Sequence, residues 1–249
     1  MTHRISRRKF SLFSASVAAT TATSTFRLSA ADPNSKVGLA VIGVNNRGMD
    51  HVKGFAANDL VEIRAIVDID SDVGEKKASL IASMTGKRPV VYTDMRQAFD
   101  SKDIDIVSCA TPNHWHALCG IWAMQAGKDI YLEKPISHNI FEGRALVEAS
   151  KKYGRLLQTG TQTRSSPAAI EAMQFIHDGK IGDVKFARGL CYKRRPAIGP
   201  LGDYPIPETV DFDLWSGPAT FTNPKVSRPK HKHSMINQCC LIGHLQYEP

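Results

Sequence analysis

Val37-Gly38-Leu39-Ala40-Val41-Ile42-Gly43-Val44-Asn45-Asn46-Arg47-Gly48 is the stretch that decides the fold. An apolar run ends at Gly43, a tight polar turn follows, and Gly48 leads into a helical pattern. A strand, a glycine turn and a helix in this order form the unit that holds a dinucleotide pyrophosphate. Gly43 permits the sharp turn and Gly48 lets helix and strand pack closely. Asn45 stands where the pattern usually has a second glycine, and asparagine tolerates left-handed backbone better than most residues. The helix start offers free N–H groups and a partial positive charge to phosphates, so Gly43, Asn45, Asn46, Arg47 and Gly48 are the expected phosphate contacts. Asp68 closes the next apolar run, Val61 to Val67. An acidic residue about 20 residues after the turn accepts hydrogen bonds from the adenosine ribose.

Outward from this unit, strand and helix patterns alternate. Strands are expected at 37–42, 61–67, 90–92, 104–110, 130–132 and 156–159. Helices are expected from Gly48, over 72–85 with Val73, Leu80, Ile81 and Met84 inward, over 94–99, over 116–125 and over 139–153. Asn139 and Glu142 have the spacing of a capping box. Such alternation, with near-continuous apolar strands, gives a doubly wound parallel sheet covered on both faces. After Gly160 the pattern changes. A helix over 167–178 and a strand over 184–192 are expected, then a proline- and glycine-rich stretch and Asp211-Phe212-Asp213-Leu214-Trp215-Ser216-Gly217-Pro218. The chain divides into 1–31, a nucleotide-binding domain at 36–163, the start of an α+β domain at 164–222, and an atypical tail at 223–249.

Two loops fall at carboxyl ends of strands, where open α/β sheets bind ligands. Thr111-Pro112-Asn113-His114-Trp115-His116 follows the fourth strand and is suited to line the nicotinamide half of a site. Glu133-Lys134-Pro135 follows the fifth. A partly desolvated lysine there can act as an acid or base or orient a hydroxyl, and the plainer alternative is a surface lysine paired with Glu133. His114 and His116 have no further ligands at metal-site spacing, so no metal is expected.

The 249 residues are 42% hydrophobic and 22% charged, as in ordinary globular chains. The net charge of +8 is concentrated near the start and at Lys225 to His233, without the aromatic–basic interleaving of a nucleic-acid surface. Ser6-Arg7-Arg8-Lys9-Phe10, a weakly apolar Ala/Ser/Thr stretch and Leu28-Ser29-Ala30-Ala31 have the layout of a signal peptide resembling the twin-arginine type, which implies a periplasmic or otherwise exported protein. There is no apolar run of about 18 residues or more, so no membrane span is expected. The five cysteines lack Cys-x-x-Cys spacing. Cys109 and Cys119 read as core residues, and no disulfide framework is expected.

The glycine turn, Asp68, Thr-Pro-x-His-Trp-His, Ala126-Gly127-Lys128-Asp129-Ile130-Tyr131-Leu132-Glu133-Lys134-Pro135 and Gln158-Thr159-Gly160-Thr161-Gln162 occur in order. Together they resemble the Gfo/Idh/MocA family of NAD(P)-dependent oxidoreductases, closest to its exported branch, over roughly residues 36–218. The resemblance implies a Rossmann domain followed by an α+β domain that covers the site and mediates homo-oligomerisation. It implies NAD, with NADP as the alternative, since the Asp68 charge repels a 2′-phosphate. It implies a sugar, inositol or related polyol substrate, or hydrolysis of a glycoside through transient use of NAD. Lys134 matches the family's catalytic lysine, and His116 and Gln162 match positions near nicotinamide and substrate. The family's Asp-x-x-x-His motif is not found after Pro218. The 223–249 tail, with His231, His233, Cys239, Cys240 and His244, has no family pattern and no expected zinc site. The reading expects a truncated or frame-shifted second domain, with homo-oligomerisation doubtful, and a chain that binds NAD with little turnover.

Overall fold

The computed structural model describes residues 36–190, 205–219, 221 and 224. The expected signal peptide, Cys191, Cys239, Cys240 and the tail's histidines lie outside the described residues. The strands are β1 (Val37–Ile42), β2 (Val61–Val67), β3 (Val90–Tyr92), β4 (Ile106–Cys109), β5 (Asp129–Glu133) and β6 (Leu157–Gly160). They form one six-stranded sheet in the order β3-β2-β1-β4-β5-β6, and every pairing is parallel. The helices are α1 (Arg47–Ala56), α2 (Ser71–Thr85), α3 (Met95–Asp100), α4 (Asn113–Gln125), α5 (Ile140–Tyr153), α6 (Pro167–His177) and α7 (Phe212–Ser216).

The sequence dictates two cores because side chains alternate across a strand. Leu39 and Val41 of β1 join Ile63, Ile66, Val52 and Ile81 on one face, under α1 and α2. Ala40 and Ile42 join Val67, Val107, Leu132, Met124 and Leu146 on the other, under α3, α4 and α5. Full burial of each large aliphatic side chain contributes about 1.5–3 kcal/mol. Caps fix the helix starts. Asp70 accepts from Asp72 N–H and Val73 N–H, Asp94 from Arg96 N–H, and Asp211 from Leu214 N–H. Asn139 and Glu142 bond reciprocally, the capping box read from the sequence.

Four expectations are corrected. The inward face of α2 is Val73, Gly74, Ala78 and Ile81, while Leu80 and Met84 are 45% and 46% exposed. Small residues face the sheet there because the approach is close: a Cβ on Gly74 would stand 2.8 Å from Val91 Cγ1. Helix α4 begins at Asn113, not His116, so Asn113, His114 and His116 lie on its first turn rather than in a loop. Residues 184–190 carry no strand and pair with none of the described strands, and Val184, Phe186 and Leu190 are exposed. Asn45 does not use left-handed backbone, since Thr163 is the only non-glycine residue with positive φ among the described residues and Gly43 makes the turn alone at φ +79°.

Residues 206–216 pack on the sheet's carboxyl end rather than apart from it. Ile206, Val210, Phe212 and Trp215 cluster with Ile69, just past β2. Ser71 N–H donates to Thr209 C=O at 2.9 Å and Asp211 N–H to Ile69 C=O at 3.0 Å.

Candidate functional site

The strand order reverses between β1 and β4, and a crevice opens outside their carboxyl ends, as open α/β sheets require. The cleft is about 310 Å³ and is lined by Gly43, Asn45, Asn46, Arg47, Asp68, Thr111, Pro112 and Asn113 among others. A Cβ on Gly48 would stand 1.9 Å from Gly43 O, and one on Gly43 would stand 2.9 Å from Ala110 O. Neither position admits a side chain without backbone movement. Helix α1 starts at this turn without a side-chain cap, unlike α2, α3, α5 and α7. Its first N–H groups therefore keep donor capacity toward an anion in the cleft.

Asp68 is 8% exposed. Its Oδ2 accepts from Val44 N–H at 3.0 Å and its Oδ1 from Asp70 N–H at 3.2 Å, so it splints the glycine turn. Burial pushes its pKa up to about 6, against the pull of these backbone donors. The backbone N–H of Asn45 also acts on this carboxylate. A carboxylate has about four acceptor sites, so capacity for a ribose hydroxyl remains.

The other expected residues gather around Glu133, which is 4% exposed. Its Oε1 accepts from Arg47 Nε at 2.7 Å and from His51 Nε2 at 3.1 Å. Its Oε2 accepts from the backbone N–H of Lys134 at 3.1 Å and faces Gln162 Nε2 at 3.5 Å. Burial alone would raise the Glu133 pKa; the Arg47 and His51 donors outweigh it and hold the carboxyl below its ordinary value. Burial lowers the His51 pKa, against the pull of its hydrogen bond to Glu133. His51 donates through Nε2 and accepts at Nδ1 from the Ser108 hydroxyl, 2.7 Å away. His51 and Ser108 were not read from the sequence. The available signal was a histidine between the buried Met49 and Val52 of α1.

Lys134 is exposed beyond β5, and no described side chain pairs with it, so the Lys134–Glu133 ion pair weighed above is replaced by a bond to its backbone. His116 is 1% exposed, with Nδ1 2.5 Å from Pro135 O and Nε2 2.9 Å from Thr111 O. Its ring lies between the loop after β5 and the loop after β4, and its N–H donates to one of the two carbonyls. His114 is likewise engaged with backbone. Burial lowers its pKa, and its Nε2 bonds Trp215 O at 2.9 Å, while Trp115 Nε1 bonds Leu214 O at 2.9 Å.

A parallel sheet with a glycine-lined, uncapped helix start at its switch point and an acidic residue ending β2 defines a dinucleotide-binding Rossmann domain. A family model described as an oxidoreductase family with NAD-binding Rossmann fold matches residues 37–161. The chain belongs to this family, Gfo/Idh/MocA, and its Rossmann domain binds NAD. It is 32% identical over 152 residues to a glycosyl hydrolase family 109 protein of Shewanella pealeana, covering 59% of this chain and 33% of that relative. Its fold matches GenD2 from gentamicin A biosynthesis in complex with NAD, with TM-score 0.54 and 26% identity over 59% of this chain and 40% of that one. It also matches a myo-inositol dehydrogenase assigned in Sinorhizobium meliloti, with TM-score 0.52 and 28% identity over 59% and 43%. The chain spans between about a third and a half of the length of the curated relatives it matches.

Among the described residues no group of three metal-ligating side chains occurs, and no helix is long and apolar enough to cross a membrane.

Proposed function

We propose that this chain carries the cofactor site and the proton-handling lysine of an oxidoreductase acting on a sugar, inositol or related polyol. The observation that carries the reading is Lys134: its side chain is exposed at the carboxyl end of β5 while Glu133 holds its backbone N–H. Bound NAD supplies the hydride acceptor. As a substrate carbinol carbon is oxidised, Lys134 takes the hydroxyl proton, a role typically worth 10²–10⁴-fold. Gln162, beside Glu133, faces the substrate side, and His116 acts by fixing the two loops. The Asp68 carboxylate favours NAD over NADP. Residues 36–163 form the nucleotide domain and those from 164 begin the substrate domain, through which the family assembles as homo-oligomers. The Ser6-Arg7-Arg8-Lys9-Phe10 sequence supports export by the twin-arginine route to the periplasm.

The glycosyl hydrolase relative favours a second reading, hydrolysis of a glycoside with no net change in NAD. Two assays separate the readings. Oxidation of a polyol panel with added NAD produces NADH absorbance that Lys134→Ala abolishes. Release of nitrophenol from a glycoside panel without accumulating NADH establishes the hydrolase instead. Neither signal from protein that binds NADH removes the catalytic role of Lys134 in this chain.

A further inference from the structure

We propose that the adenine ring of the cofactor lies in a slot between Arg96 and the Leu214–Trp215 step of α7, so that a segment from beyond the Rossmann strands builds part of the purine site. The proposal rests on the NAD-binding assignment and on the order of groups in a dinucleotide. With the pyrophosphate at the Gly43–Gly48 turn and the ribose at Asp68, the base falls beyond Asp68. The same cleft continues there, lined by Ile69, Met95, Arg96, Leu214 and Trp215.

One side of the slot is a planar cation. Arg96 is held by Asp94, with Nε 2.8 Å from Oδ2 and 3.0 Å from Oδ1 and Nη2 2.5 Å from Oδ2, while its side chain stays 61% exposed. A guanidinium at the rim of such a cleft offers a planar face on which a purine can stack. The other side is anchored from several directions. Trp115 Nε1–H donates to Leu214 C=O and His114 Nε2–H to Trp215 C=O. Asp211 N–H donates to Ile69 C=O. Phe212 and Trp215 stack with centroids 4.9 Å apart, and Val210 closes the cluster beneath. The wall is thus fixed before any ligand arrives, which lowers the ordering cost of binding. Ile69 and Met95 supply apolar contact between the two sides.

The test is calorimetric titration of the full chain with NADH, ADP-ribose and nicotinamide mononucleotide. Arg96→Ala alters an exposed side chain and Leu214→Ala a half-buried one. Each is expected to weaken NADH and ADP-ribose by about fivefold or more, the low end for a lost stacking partner, and to leave the mononucleotide unaffected. Leu214→Met retains wild-type affinity. If Leu214→Ala does not fold, Trp115→Phe removes the indole N–H that holds the Leu214 and Trp215 carbonyls and is expected to weaken ADP-ribose at least twofold. Wild-type binding of ADP-ribose with all variants within experimental error overturns the slot and leaves the NAD assignment standing. Loss with Arg96→Ala alone overturns the α7 wall. Failure of the wild type to bind both NADH and ADP-ribose overturns the assignment and the slot together.

Discussion

Asp68 makes the folded chain less stable at neutral pH than at mildly acidic pH. Its pKa rises from an ordinary 3.8 to about 6, chiefly because its carboxyl is buried. Between those two values the folded state binds the proton that the unfolded state has released. Stability therefore falls as pH rises from about 4 through about 6 and is level above that, the reverse of a salt-bridged aspartate. At 1.36 kcal/mol per pH unit, the Asp68 contribution is about 3 kcal/mol between the two limits. Asp68→Asn removes it. The amide keeps one acceptor for Val44 N–H, but its own N–H₂ then faces Asp70 N–H, which costs about 1 kcal/mol. The variant is thus about 0.5 kcal/mol less stable than wild type at pH 4, where the unfolded carboxyl is already about half ionised, and about 2 kcal/mol more stable at pH 8. Urea unfolding of both proteins at the two pH values measures the crossover, and taking the difference cancels His51 and the other shared groups. Parallel stability curves with no crossover refute the buried, ionisable Asp68 described above. The same variant, tested with cofactor, weakens NADH more than NADPH, because it removes the carboxylate that meets the ribose hydroxyls.

Glu133→Ala leaves His51 Nε2 buried without an acceptor and frees Arg47, and should cost about 3 kcal/mol in urea unfolding, with Glu133→Gln at about half of that; a loss under about 0.5 kcal/mol for the alanine variant excludes the hub role. Gly48→Ala places a Cβ on the Gly43 carbonyl and should lower stability by about 1–3 kcal/mol; NADH affinity should fall at least tenfold, and an unchanged titration rejects the glycine cradle. Arg7→Lys together with Arg8→Lys should leave precursor in the cytoplasm on cell fractionation; undiminished periplasmic protein excludes the twin-arginine route.

The sheet was legible because both of its faces are buried, which turns strands into unbroken apolar runs such as Val37 to Ile42. Helix starts were legible where a side chain caps them, at Asp94 and Asn139. The face of α2 was not, because Gly74 and Ala78 pack there by being small, and hydrophobic weight pointed to Leu80 and Met84. The glycine turn, Asp68, Thr111, Pro112 and Asn113 line one cleft. The inward roles of His114 and His116 depend on carbonyls of Trp215 and Pro135, partners that spacing does not reveal. The Ser108–His51–Glu133 chain joins three elements distant in sequence, and each residue alone reads as incidental. The docking of α7 likewise rests on contacts about a hundred residues apart.

The position of β1 in the sheet has a consequence for synthesis. β1 pairs with β2 on one edge and with β4 on the other. When β1 leaves the ribosome its partner Ile106–Cys109 does not yet exist, and at ~5–20 residues per second it follows roughly 3–13 s later. Once β2 and then β3 have followed, they and β1 can form a half-sheet whose β1 edge is apolar and unpaired, the kind of edge that recruits a second chain. The switch-point crevice has only one wall until β4 arrives. The nascent protein therefore passes through its most association-prone state just before its cofactor crevice is complete, and synonymous codon changes that slow translation between residues 68 and 106 should lower soluble yield without altering the finished molecule.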